Sequence, residues 1–164
     1  MRILTIGYEG SVIDDFLASL RAAGVQEVVD VRELPLSRKR GFSKGALSLA
    51  LEAAGISYRH VRELGCPKDV RVKYKLDQDW AHYVRRFSAY LDTQREALEA
   101  LRLGATKVTT ALLCFEADAN RCHRSIVAAA VSRKRGDQVT HLSTTKEAAS
   151  ANHPACWAVA GTAD

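Results

Sequence analysis

Five short apolar runs, separated by stretches of helical period, constrain this 164-residue chain more than any other feature. The runs cover residues 2 to 6, 27 to 31, 56 to 61, 107 to 113 and 138 to 142. After the first, Ile13, Phe16, Leu17 and Leu20 recur at helical spacing and Gly24 supplies a stop. Ser11-Val-Ile-Asp14 reads as a capping box for that helix. Ser43 reads as the cap of a second helix running to Ala54, stopped by Gly55. Trp80, Tyr83, Val84, Phe87, Tyr90 and Leu91 form a strong helical stripe, which reads as core. Thr93-Gln-Arg-Glu96 is a second capping box, for a helix ending near Gly104. A last helix opens at the residues before Ile126 and runs to Gly136.

Strands joined through helices lie parallel, and the helices must then cover the sheet. The expected fold is α/β, a single-domain three-layer sandwich with a mainly parallel five-stranded sheet and helices on both faces. Residues 1 to 142 form this domain. Residues 143 to 164 are read as a C-terminal tail, either a short helix on Lys146 to Ala151 or partly ordered. Residues 33 to 42 read as a basic loop containing Pro35. Glu63 to Lys75, with Gly65 and Pro67 and no clear period, also reads as a loop.

Length and composition bound the class. The chain is long enough to bury a core, and 47% hydrophobic with 26% charged residues is ordinary for a globular protein. No apolar run approaches the roughly 18 residues of a membrane span, so no membrane partner is expected. The N-terminal run turns polar too quickly for a signal peptide. Cysteines 66, 114, 122 and 156 show no Cys-x-x-Cys pair. A reduced, cytoplasmic setting is the expectation.

In parallel sheets, ligands bind outside the carboxyl ends of the strands. Those ends carry Gly7-Tyr8-Glu9, Asp30 with Arg32, Glu63-Leu-Gly65 and the segment from Cys114 to Ser125. The last is the densest. Two thiols, Cys114 and Cys122, join Glu116, Asp118, His123, Arg121 and Arg124 within one strand-to-helix turn. Asn120 is a plausible N-cap, which would aim the amides of residues 121 to 123 at the rim and make a generic anion site with Arg124. Plain capping with a solvated arginine is the competing reading. Glu116 and Asp118 either complement the helix dipole or serve as acid and base, and pairing with Arg32 and Arg124 would keep them ionised. Cys122 stands where a helix N-terminus and His123 lower a thiol pKa, whereas Cys114 ends a buried strand. The Cys122-His123 pair with Cys114 could also bind a metal, but the separation of the cysteines, the adjacent ligands and the lack of a second close pair disfavour a structural zinc. No cofactor is indicated.

The net charge of +5 is uneven. Residues 32 to 75 hold eleven basic side chains against four acidic ones. An anionic small molecule or a nucleic acid is the partner such a balance favours, set against a merely solvated basic face.

The chain resembles domain-of-unknown-function family 488. The matching pieces are Thr5-Ile-Gly-Tyr8, Val29-Asp-Val-Arg32 with Pro35 and Ser37, and Glu63-Leu-Gly65. To these add Leu113-Cys-Phe-Glu-Ala-Asp118 leading to Cys122-His-Arg-Ser125, and the Val139 to Leu142 strand. The resemblance spans residues 3 to 142 and implies an architecture and a site, but no assigned activity. The family often has His where Tyr8 stands. A weaker similarity is to rhodanese-like domains, which also place Asp-Val-Arg after a strand and a catalytic Cys before a helix. Here Glu116 and Asp118 would oppose an anionic persulfide in that loop.

Three functions follow as expectations. The first is an enzyme, a hydrolase or transferase, acting on a phosphate-bearing ligand such as a nucleotide, nucleoside or nucleic-acid base. Arg32 and Arg124 would hold the anion, Ser37 and Ser125 add hydroxyls, and Glu116, Asp118 or Cys114 do chemistry, with Gly7, Tyr8, Asp30, Pro35, Glu63, Cys122 and His123 around the ligand. The second is a nucleic-acid-binding module using residues 32 to 75. The third is a thiol sulfur carrier.

Overall fold

The computed structural model describes residues 2 to 132 and 138 to 144. The expected helix end at Gly136 and the tail from 145 onward lie outside the described residues.

Five strands form one sheet: β1 (Ile3–Gly7), β2 (Glu27–Asp30), β3 (Ser57–His60), β4 (Thr110–Cys114) and β5 (Val139–Leu142). Every pairing is parallel, in the order β3-β2-β4-β1-β5. Among the described residues the helices are α1 (Ile13–Ala22), α2 (Lys44–Ala53), α3 (Lys68–Asp77), α4 (Trp80–Leu91), α5 (Arg95–Ala105) and α6 (His123–Ser132).

Period-two alternation along the strands builds two cores. Leu4, Ile6, Val28, Ala111 and Leu113 pack on Phe16 and Leu20 of α1 and Leu47 and Leu51 of α2. Ile3, Val29 and Leu112 face the other way, onto Tyr83, Phe87 and Leu91 of α4, Leu101 of α5 and Val127, Ala128 and Val131 of α6. The result is the expected three-layer α/β sandwich. Among the described residues no helix is long and apolar enough to cross a membrane.

This layering explains where a cleft must open. The connection after β2 leads to α2 on one face, and the connection after its neighbour β4 leads to α6 on the other. Right-handed crossovers to opposite faces pull the two connections apart and leave a crevice at the strand ends.

Local expectations fare unevenly. The segment read as a loop from Glu63 to Lys75 is instead a 3₁₀ turn, Arg62–Leu64, followed by α3. Its period is faint because α3 fully buries only Val70. Aromatic contact does the rest: Tyr74 sits 5.6 Å from Trp80 and 5.1 Å from Tyr83, ring to ring. Both capping boxes fail as caps. Val12 precedes α1, while the Ser11 hydroxyl bonds to Thr144; Gln94 precedes α5, while Thr93 donates to the Tyr90 carbonyl. Ser43 does precede α2, but its hydroxyl donates to the Ser37 carbonyl at 2.9 Å and so fastens the basic loop.

Candidate functional site

A cleft of about 700 Å³ lies at the carboxyl end of the sheet, within the usual range for small-molecule sites. The loop after β2 supplies Arg32, Glu33, Leu34, Leu36, Ser37, Arg38 and Lys39. The end of β4 and its turn supply Cys114, Phe115, Glu116, Arg121 and His123. Cys66, Arg71, Tyr74, Lys75, Gln78 and Tyr83 close the wall, with Tyr8 from the end of β1.

Two buried polar clusters meet here. In the first, the side chains of Asp30 and Arg32 share one side of the strand end, as their spacing requires. Arg32 Nε donates to Asp30 Oδ1 at 2.8 Å, and a second guanidinium nitrogen pairs with Oδ2. Arg32 also donates to the Phe42 carbonyl at 2.8 Å and to the Tyr8 hydroxyl at 3.0 Å. Tyr58 donates to Asp30 at 2.7 Å. Burial and the Asp30 carboxylate both push the Tyr58 pKa up. For Arg32, burial works against the charge, but Asp30 outweighs it and raises the pKa. The expected role of Arg32 as the ligand's main anion holder is therefore corrected: it lines the cleft, but four of its five N–H donors are committed inside the protein.

Arg124 is corrected in the same way. It is fully buried, and its guanidinium donates to the carbonyls of Glu116 and Ala117 and to the Thr5 hydroxyl. It braces the turn after β4 rather than lining the cleft. Gly7 completes the brace, because a Cβ there would lie 1.8 Å from the Glu116 carbonyl oxygen.

The second cluster sits on that braced turn. Cys114 and Cys122 both donate to Glu116 Oε2, at 2.9 and 3.1 Å. His123 Nδ1 lies 3.5 Å from the Cys114 sulfur, and His123 Nε2 lies 2.7 Å from the Val31 carbonyl oxygen. The ring edge of His123 meets Phe87. Burial pushes both thiols above their ordinary pKa. The expected lowering at Cys122 does not occur: desolvation exceeds what His123 offers it. Burial also pushes Glu116 up, but the two thiol hydrogen bonds outweigh it and hold the carboxyl below its ordinary value. His123 is lifted although burial opposes its charge, because Cys122 and the Val31 carbonyl favour the protonated ring.

Several expected site residues stay outside this arrangement. Asn120 does not cap α6; it lies in a 3₁₀ turn, Ala119–Arg121, which Asp118 caps by accepting from the Asn120 amide at 2.8 Å. The amides of Arg121 and Cys122, expected to face the rim, donate within that turn to the carbonyls of Asp118 and Ala119. Asp118 is exposed and off the cleft, and Ser125 donates to the Ala119 carbonyl. Glu63 is exposed and contributes its carbonyl to the Tyr90 hydroxyl. Pro35 accepts from the Lys44 amide and does not line the cleft. Ser37 does line it, with its hydroxyl accepting from the Lys39 amide.

Sequence reading missed Cys66, Tyr83 and Glu33 as partners of this site, and it counted Arg38, Lys39, Lys75 and Arg121 only as charge in the basic segment and the turn, without singling them out as rim cations. Burial pushes the Cys66 thiol up to about 12. Arg71 is not free at the rim, since it pairs with Glu33. Arg38, Lys39 and Lys75 have no ion-pair partner among the described residues, and Arg121 lies over the Trp80 ring. Gly65 was the available signal for the Cys66 side: a Cβ there would lie 2.4 Å from the Glu33 amide nitrogen, so the turn must press against the loop after β2.

No curated protein and no solved structure matches the chain. The rhodanese-like resemblance is thus without support from these comparisons. The family resemblance is shown, although over a shorter span than residues 3 to 142. A protein-family model described as "Domain of unknown function DUF488" matches residues 12–131, and with well over half its length covered the chain belongs to that family.

Proposed function

We propose that the cleft is the active site of an enzyme acting on a phosphate-bearing small molecule, of the nucleotide or nucleoside-phosphate class. The observation that carries this reading is one cleft lined both by buried reactive groups and by more exposed cations. Its floor presents Glu116, Cys114 and His123, and its rim presents Arg38, Lys39, Lys75 and Arg121. Arg38, Lys75 and Arg121 are exposed and Lys39 is half-buried, and cations without acidic partners there attract a phosphate at little desolvation cost. Phe115, 45% exposed and edge-on to Tyr8, offers an apolar face against which a base or sugar can pack. Glu116, kept ionised at neutral pH, is the group suited to accept a proton from bound ligand or water, in a hydrolase or transferase reaction.

Two competing readings have less behind them. For a nucleic-acid module, the basic segment from 32 to 75 loses Arg32, Arg59, Arg71 and Lys73 to pairs with Asp30, Glu27, Glu33 and Asp77. What remains unpaired near the cleft suits a small anion better than a long phosphate track. For a sulfur carrier, burial keeps both thiols protonated and a carboxylate sits on them, which opposes an anionic persulfide.

Thermal unfolding in the presence of nucleosides, their mono-, di- and triphosphates, and short oligonucleotides tests the choice. A phosphate-bearing small molecule at 100 times its Kd should stabilise the fold by about 2.7 kcal/mol. Parent nucleosides should do much less. Equal stabilisation by nucleoside and nucleotide, or tight salt-sensitive binding to oligonucleotides alone, overturns the reading.

A further inference from the structure

We propose that Cys114, Cys122 and His123, together with the Glu116 carboxylate, bind a soft divalent cation of the zinc class on the floor of the cleft. One donor atom from each of the four residues lies within 4.8 Å of all the others. Zinc ligands in a tetrahedral shell sit roughly 3 to 4 Å apart, from bond lengths of about 2.0 to 2.3 Å. The Cys114 sulfur to His123 Nδ1 distance of 3.5 Å falls in that range, and the Glu116 oxygen already touches both sulfurs.

The orientation of the imidazole is the second, independent observation. Its Nε2 is 2.7 Å from the Val31 carbonyl oxygen, so Nε2 carries a proton and donates it there. Nδ1 is left to face the Cys114 sulfur. A backbone carbonyl that fixes one ring nitrogen so that the other can bind metal is the usual supporting contact of a ligating histidine.

The donors are also held in place before any ion arrives. Cys114 ends β4, Cys122 immediately precedes α6, and His123 opens it. Glu116 sits on the turn that Arg124 and Gly7 brace. Two thiolates and an imidazole select zinc-like ions over magnesium or calcium, which favour oxygen ligands. Sequence spacing argued against a structural zinc even with His123 counted beside Cys114 and Cys122; the fold gathers those three donors and adds Glu116 at the same point. Cys114, Glu116 and His123 line the cleft, so the ion would face whatever ligand the cleft holds. With the ion bound, Glu116 is a ligand and not a free base, so its proton-accepting role belongs to the metal-free protein. The inference does not depend on the phosphate reading of the rim, since it concerns the floor and is measured without any ligand.

The test is a cobalt titration of the full-length protein, reduced and freed of metal by a chelator. A single equivalent of Co²⁺ should produce thiolate-to-cobalt charge-transfer absorption and d–d bands of tetrahedral intensity, both removed by Zn²⁺. Uptake should release about two protons at neutral pH as the thiols ionise. Cys122→Ser should roughly halve the charge-transfer intensity, and His123→Ala should weaken zinc about tenfold or more. Wild-type protein that shows no stoichiometric cobalt spectrum, or one lacking thiolate charge transfer, overturns the site whatever the variants do. Nucleotide binding measured on the same chelator-treated protein stands or falls separately.

Discussion

The two polar clusters at the end of the sheet are built from similar parts and do opposite things. In the Asp30–Arg32 cluster a full negative charge meets a full positive charge, and Tyr8, Tyr58 and the Phe42 carbonyl take up the remaining bonds. Asp30 is fully buried and Arg32 is 5% exposed. In the Glu116 cluster the nearest donors to the carboxylate are neutral thiols. Its charge is incompletely matched, and its thiol and imidazole open onto the cleft. Removing one partner of a matched buried ion pair leaves an uncompensated charge, whereas a carboxylate held by neutral donors tolerates loss of its charge better.

Substitution should separate the clusters most sharply in stability. Asp30→Ala leaves the Arg32 charge buried and unpaired, and unfolding in denaturant should show a loss of about 3–5 kcal/mol. Glu116→Gln should cost about 1 kcal/mol or less, since thiols can still donate to the amide oxygen. Equal losses would erase the distinction. Gly7→Ala should fall between, about 1–3 kcal/mol, because the new Cβ forces the Glu116 carbonyl aside. It should also weaken nucleotide binding, measured by calorimetry, whereas a purely structural role for the turn would leave affinity unchanged.

Acid should act on the second cluster in a defined direction. Glu116 has a folded pKa below its ordinary value of 4.5. A depressed carboxyl contributes stability above the unfolded pKa and loses it as pH falls through the folded one. Wild type should therefore lose stability to acid below about 4.5 more steeply than Glu116→Gln. Superimposable acid limbs would show that the carboxylate is not held by the thiols. The smallest effects belong to the rim. Arg38→Ala and Lys75→Ala should each change stability by less than about 0.5 kcal/mol, yet weaken a phosphate-bearing ligand roughly three- to tenfold, with the loss shrinking as salt rises.

The layered fold was legible because strand runs and helical stripes alternate with glycine stops, and its element ends moved by only a few residues. The α3 helix was hidden because its burial rests on Val70 and on ring contacts made by Tyr74, which leave little hydrophobic period. Ser11 and Thr93 carry the right letters for caps, but their hydroxyls found other acceptors once the chain closed. The turn from Cys114 to Ser125 was visible as a density of reactive groups. Which arginines were free was not visible, since Arg32 and Arg124 are disarmed by partners far away in sequence, such as Tyr8 and Thr5. Cys66 reached the cleft through a close backbone approach at Gly65, whose glycine was the one local sign of it.

The most direct measurement is a calorimetric titration of one nucleotide and its parent nucleoside into wild type and into Arg38→Ala/Lys75→Ala. The cleft as described requires that the nucleotide bind wild type more tightly than the nucleoside does, and that the double variant lose most of that difference while folding normally. Equal affinity for the two compounds, or a difference that survives removal of both cations, would contradict a phosphate-binding active site at the Glu116 floor.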